Sequence, residues 1–352
     1  MSHFDPNAAA PADSGIFGLP YSMEESALVL IPIPWEPTTS YGGGTSLGPQ
    51  IILNASKQVD LFDIDFGNFY EKGIHLLAEA EEVKQWNTAA KKAAQLVIEA
   101  QGTATAETDE IKKATLLVNK FSIKLNDFIY HQTKQLLSQG KIVGLIGGDH
   151  SSPFGAIQAF LEKYPNMGIL HFDAHADLRN AYEGFEFSHA SIMYNVITKT
   201  SLKKLVQVGI RDFCEEEFHF IKQNADRITT FFDSTLVEEK MSSKNWSDIC
   251  DNIIQQLPNE VFVSFDIDGL DPRFCPNTGT PVPGGLDFTE ALFLLKKVIR
   301  SGRKIIGFDL NEVSPGSAGC STNSSQTPDT AAEWDANVGA RLLYKLCGFV
   351  LT

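Results

Sequence analysis

Four apolar, strand-like runs in this chain each stop at a group of acids and histidines, and this restricts the fold more than any other feature. The run 141–146 leads into Gly147-Gly148-Asp149-His150-Ser151, and 167–172 leads into Asp173-Ala174-His175-Ala176-Asp177. The run 260–265 leads into Asp266-Ile267-Asp268-Gly269-Leu270-Asp271-Pro272, and 303–310 into Asn311-Glu312-Val313-Ser314-Pro315. Two further runs, 27–34 and 205–210, read as buried strands without such an ending. Helical stretches at 153–164, 215–224 and 289–301 lie between them, and strand alternating with helix implies a parallel sheet covered on both faces. Parallel strands all end at one edge, where open α/β sheets bind ligands. Residues far apart in sequence can therefore share a site there.

Spacing says what that site holds. Asp173, His175 and Asp177 recur at every second position, as do Asp266 and Asp268, so each set leaves its strand on one face. Carboxylates crowded without counterions repel one another and are costly to desolvate. His150, Asp173, His175, Asp177, Asp266 and Asp268 together offer four carboxylates and two imidazoles. That is too many for one catalytic zinc with an open position and too nitrogen-rich for calcium. It suits two divalent ions of borderline softness such as Mn²⁺, whose four positive charges cancel the four aspartates. Such a pair can acidify a water, and the hydroxide then leaves the site with one negative charge, which favours a cationic electrophile over an anionic phosphate.

Composition narrows the partners. The net charge of −15 (29 basic, 44 acidic residues) comes without any basic block, which argues against nucleic acid and anionic membranes and suits a cationic ligand. No apolar stretch approaches the roughly 18–20 residues of a membrane span. The N-terminal segment lacks the basic start and apolar core of a secretory signal, so a cytoplasmic protein with a surface arm over about 1–25 is expected. The five cysteines are scattered and odd in number, which fits free thiols rather than a disulfide framework. The Gly42-Gly43-Gly44 run lacks a phosphate-cradle ending and reads as a tight loop near a pocket. A helical insertion is expected over about 79–139, packing against the sheet or another subunit. With no linker or repeat in view, residues 1–352 read as one domain.

Taken together and in this order, the motifs Gly-Gly-Asp-His-Ser (147–151), Asp-Ala-His-Ala-Asp (173–177), Ser-Phe-Asp-Ile-Asp-Gly-Leu-Asp-Pro (264–272) and Glu-Val-Ser-Pro (312–315) resemble the ureohydrolase family of arginase, agmatinase and formiminoglutamase. The resemblance is strong over about 140–352. It implies a three-layer α/β/α sandwich with a mainly parallel sheet, assembled as a trimer or hexamer, and a dinuclear manganese centre that hydrolyses a guanidino group to release urea. By the same resemblance His150, Asp173, Asp177 and Asp266 would hold one ion. Asp173, His175, Asp266 and Asp268 would hold the other, with Asp173 and Asp266 shared. Glu312 takes the place of the carboxylate that pairs with the guanidinium, and His189, in Phe187-Ser188-His189-Ala190-Ser191, that of the proton-shuttling histidine.

Asp177-Leu178-Arg179, Ser188-His189-Ala190-Ser191 and the run 277–285 are similar to the agmatinase branch, which points to agmatine, putrescine and urea. Two features depart from the pattern: Asn311 replaces an apolar residue before Glu312, and 316–329 reads as a polar insertion able to cap the pocket. Guanidinobutyrate, guanidine (with Ni²⁺ in place of Mn²⁺), arginine and formiminoglutamate stay open as substrates. A non-catalytic metal-bound scaffold and a dinuclear phosphoesterase remain as readings of another class.

Overall fold

The computed structural model describes residues 4–11, 13–39, 41–103, 108–315 and 330–352. Among the described residues, eight strands form one sheet: β1 (Leu28–Pro32), β2 (Ile74–Leu76), β3 (Ile142–Ile146), β4 (Gly168–Phe172), β5 (Lys204–Ile210), β6 (Ile228–Phe232), β7 (Glu260–Asp266) and β8 (Lys304–Asn311). Their spatial order is β2-β1-β3-β8-β7-β4-β5-β6 and every pairing is parallel. The expected mainly parallel α/β architecture is thus observed. The four strands that end in acid and histidine, β3, β8, β7 and β4, are consecutive in the middle of the sheet.

Alternation along the strands builds two cores. Leu170, Phe172, Val263, Phe265, Phe308 and Leu310 face one side, against Ile52 of α1 (Gly48–Ser56), Ile253 of α8 (Trp246–Gln255), Leu294 of α9 (Phe288–Arg300) and Leu342 of the last helix, α10 (Thr330–Leu351). Ile169, Phe262 and Ile306 face the other side, against Ile129 of α3 (Asp109–Ser138), Phe160 of α4 (Phe154–Lys163), Val196 of α5 (Ile192–Lys199) and Ile221 of α6 (Glu215–Gln223). Helices therefore cover both faces. A large side chain meets a glycine across neighbouring strands: a Cβ at Gly144 would strike the ring of Phe308, its register partner on β8. Fully burying such a ring stabilises the fold by roughly 1.5–3 kcal/mol.

The helical segment expected at 79–139 is α2 (Glu81–Ala100) and α3, joined through 101–108, of which 104–107 lie outside the described residues. Thr108 caps α3 by accepting from the Ile111 amide, which satisfies one otherwise orphaned donor. The two helices pack on each other through Ala93, Val97, Ala114 and Val118, and Val83, Ala90, Leu125 and Ile129 join the sheet-facing core. These contacts seat the pair against the sheet, one of the two packing partners foreseen. α2 also supports the loop after β1: Asn87 accepts from the Glu36 amide at 2.8 Å, and Lys91 pairs with the buried Glu36 carboxylate. That carboxylate in turn accepts from Thr45 and Ser46. The 316–329 insertion lies outside the described residues.

Candidate dinuclear metal site

All six residues singled out by spacing and resemblance meet at the C-terminal edge of the central strands. His150 Nδ1 lies 3.0 Å from Asp173 Oδ2 and 3.3 Å from both Asp177 Oδ2 and Asp266 Oδ2. His175 Nδ1 lies 3.1 Å from Asp268 Oδ2 and 3.5 Å from Asp173 Oδ1. Asp173 therefore turns one oxygen to each imidazole. Asp266 places Oδ2 on the His150 side, while its Oδ1 accepts from the Asp268 amide at 2.8 Å. All are buried except His175, which is partly open. Two groups of potential donor atoms, each within 4.8 Å of one another, share Asp173: one contains His150, His171 and Asp177, the other His175 and Asp268.

Electrostatics shows a cluster short of positive charge. Burial, followed by repulsion from Asp173, pushes Asp177 up to about 7; burial, Asp268 and Asp173 push Asp266 well above the usual range. For His175, burial opposes the charged form, but the carboxylates of Asp268 and Asp173 overcome it and raise the group to about 12. Burial also opposes charge on His150, and hydrogen bonds to Asp173, Asp177 and Asp266 raise it. Two divalent cations would supply the missing charge to carboxylates and imidazoles already facing inward, so the donor set fits them.

Backbone strain marks the same edge. Asp177 and Glu312 both have positive φ (54° and 63°), a region unfavourable for residues with a Cβ. Glu312 is held there by three bonds: its amide donates to Gly148 O at 2.8 Å, its Oε1 accepts from the His150 amide at 2.9 Å, and its carbonyl accepts from Thr278 Oγ1 at 2.9 Å. Burial and then Asp149 push its carboxyl well up. Gly148 lets this loop close, because a Cβ there would overlap the Trp35 carbonyl. His189 sits in a short 3₁₀ turn, its Nδ1 3.2 Å from Thr38 Oγ1, and burial followed by His175 lowers it to about 4. Asp149 binds its own turn through the Ser151 amide and hydroxyl at 3.0 and 2.5 Å, as a structural residue would.

Spacing overlooked several residues. Ser264 Oγ stands 2.9 Å from His150 Nε2 and donates to Asp309 Oδ1 at 3.0 Å. Asn311, first noticed only as a departure from a pattern, donates to the same oxygen at 2.5 Å. Arg211 spends its donors on the carbonyls of Gly209, Asp268, Leu270 and Val282, which braces the Asp268 turn. A cavity of about 150 Å³ opens above the cluster, lined by His175, Asp177, Arg179, Tyr182, His189, Asp212 and others.

The sequence profile described as the Arginase family matches residues 26–333, most of the chain. The chain belongs to the arginase family. An N(1)-aminopropylagmatine ureohydrolase of Thermus thermophilus is 30% identical over 83% of this chain and 84% of its own. An agmatinase of Bacillus anthracis is 28% identical over 89% and 91%. The crystal structure of the agmatine ureohydrolase of Thermoplasma volcanium superposes with a TM-score of 0.69 at 21% identity, covering 94% of this chain and 92% of that one. As an arginase-family ureohydrolase, the protein is a hydrolase of amidino C–N bonds, and its family works through a dinuclear metal site. Among the described residues, no helix is long and apolar enough to cross a membrane.

Proposed function

We propose that the protein hydrolyses agmatine to putrescine and urea, with two Mn²⁺ ions held by His150, Asp173, His175, Asp177, Asp266 and Asp268. The rim of the cavity carries this reading. Asp212 offers an exposed carboxylate there, 3.8 Å from His175 Nε2. The rim's cation, Arg179, is engaged: its guanidinium lies over the Tyr182 ring at 4.9 Å and its Nε is 3.6 Å from Glu217. Such a mouth favours a substrate whose far end is an ammonium rather than a carboxylate.

When bound, the ion pair would supply a hydroxide near neutral pH. Glu312 would bind the guanidinium through charge-assisted hydrogen bonds and orient its carbon. His189, neutral at pH 7 and steadied by Thr38, would carry a proton to the leaving nitrogen. One water and one guanidinium become urea and an ammonium, so no net proton is released. The assembly is proposed to be a homo-oligomer in the cytoplasm, built from chains that are each one domain.

A longer guanidino-polyamine is the second reading, supported by relatives named N(1)-aminopropylagmatine ureohydrolase. The test is urea release from agmatine, aminopropylagmatine, arginine, guanidinobutyrate and guanidine, and formamide release from formiminoglutamate, each with Mn²⁺ and with Ni²⁺. Agmatine should give the highest kcat/KM. Turnover of arginine or guanidine alone would overturn the agmatine reading, and turnover confined to formiminoglutamate would overturn urea chemistry.

A further inference from the structure

Three imidazoles reach the acid cluster, and the hydrogen bonds behind them separate one from the other two. His150 and His175 turn Nδ1 toward the carboxylates, whereas His171 turns Nε2, 2.9 Å from Asp173 Oδ2. His171 leaves β4 two residues before Asp173, on the same face, and is wholly buried.

Its proton is assigned by its neighbours. On β5 its register partner is Gln207, whose Nε2 lies 3.1 Å from His171 Nδ1. The same Nε2 donates to the Ala176 carbonyl at 2.8 Å, and a carbonyl can only accept, so the orientation of the amide is determined. Gln207 Oε1 accepts from Thr230 Oγ1 at 2.9 Å, from its register partner on β6. Both amide hydrogens are thereby used, one on Ala176 and one on His171 Nδ1. His171 Nδ1 must accept, which leaves the ring proton on Nε2, pointing at Asp173.

This chain of bonds is part of a longer polar row. Asp309, Ser264, His171, Gln207 and Thr230 are successive register partners across β8, β7, β4, β5 and β6, one step below the edge that carries the acids. All but Thr230 are fully buried. In the same row Ser264, by giving its hydrogen to Asp309, accepts from His150 Nε2, so that Nδ1 is the His150 nitrogen left to face the carboxylates or an ion.

We propose that His171 is a positioning residue and not a metal ligand: oriented by Gln207 and Thr230, it donates to Asp173 and fixes the carboxylate that the two metal positions share. This rests on the reading that the six named residues hold two ions. A nitrogen that carries a proton has no lone pair for a metal, so the nearness of His171 to His150 and Asp177 is not ligation. Partners of this kind typically alter metal affinity or activity by about 10–100-fold.

The test compares His171→Leu, which lacks a donor, with His171→Gln, whose amide restores one near Nε2, and with Gln207→Leu, which keeps all six acidic and imidazole residues. Mn²⁺ per chain is measured after dialysis, together with Mn²⁺ dissociation constants and the EPR signal of the coupled Mn pair. The wild type and all three variants should bind two Mn²⁺ at saturation. Dissociation constants should rise about 10–100-fold in His171→Leu and Gln207→Leu, with an altered EPR signal, and fall back to within several-fold in His171→Gln. Loss of one of the two ions in His171→Leu, or wild-type affinity in a folded Gln207→Leu, would overturn the inference alone. A wild type that retains no stoichiometric Mn²⁺ would overturn the two-metal reading and this inference with it.

Discussion

Replacing Glu312 by Gln should weaken catalysis and strengthen the fold at the same time. The carboxyl is buried, its Oε1 accepts from the His150 amide, and Gly279 stands behind Oε2. Gln keeps the shape and one acceptor oxygen, so the loop geometry should survive. What is lost is the charge proposed to face the guanidinium. Charge-assisted hydrogen bonds contribute about 1.5–3 kcal/mol each, so losing a bidentate pair in part removes about 3–4 kcal/mol, a roughly 10²–10³-fold drop in kcat/KM. Stability moves the other way. Burial and Asp149 raise the Glu312 pKa in the folded state, so the folded protein loses stability as pH rises from the unfolded pKa through the raised value. Gln removes that loss, and the gain should appear at pH 8 and vanish near pH 4. If the gain is about 1–3 kcal/mol, and unfolding 352 residues carries about 0.7 kcal/mol per kelvin, Tm rises by about 1–4 °C. Bound cations offset the same charge, so the rise should be larger after EDTA treatment. Calorimetry at both pH values and urea-release kinetics would check this. A lower Tm at pH 8, or a kcat/KM within threefold of wild type, would refute the reasoning.

Gly148→Ala should give insoluble or inactive protein, because its Cβ overlaps the Trp35 carbonyl and displaces the loop carrying His150; soluble protein with wild-type urea release would contradict this. Stripping metal with EDTA should lower Tm, by about 7 °C if each ion was present at 100 times its dissociation constant, and Mn²⁺ should restore it. Asp335, buried and accepting from both nitrogens of Asn277, is pushed up to about 7 by burial. Its folded pKa exceeds the unfolded one, so the protein should lose stability from about pH 4 to 7 through this group. Asp335→Asn should flatten that part of the stability curve measured in urea, and an unchanged slope would discount the residue.

The central strands were legible because β3, β4, β7 and β8 are buried on both faces and read as continuous apolar runs before their polar ends. The edge strands were not. β2 spans three residues, and β6 (Ile-Thr-Thr-Phe-Phe) is half-buried with one neighbour, so neither shows a clear pattern. Alternation located Asp173, His175, Asp177, Asp266 and Asp268. Carried one step back into the strands, it also reaches His171, Ser264 and Asp309, polar residues whose partners lie on other strands and give no local signal. Asp212 and Arg179 lie beyond the strand ends, where no periodicity applies. The neighbour relations were hidden for a different reason. Sequence order runs β3, β4, β7, β8, whereas space runs β3, β8, β7, β4.

That mismatch has a consequence for how the molecule is made. β8 pairs with β3 on one side and β7 on the other, and no other strand joins those two. Until β8 arrives, β2-β1-β3 and β7-β4-β5-β6 are separate half-sheets, each with exposed strand edges that invite mispairing. His150 then belongs to one half and Asp173, His175, Asp177, Asp266 and Asp268 to the other. The last strand is a keystone: a nascent chain ending before residue 304 would carry every residue proposed to hold metal, yet lack the strand that brings the two halves into register. The position that needs His150 should therefore be completed only when the sheet is whole, whereas the one proposed for Asp173, His175, Asp266 and Asp268 lies within a single half.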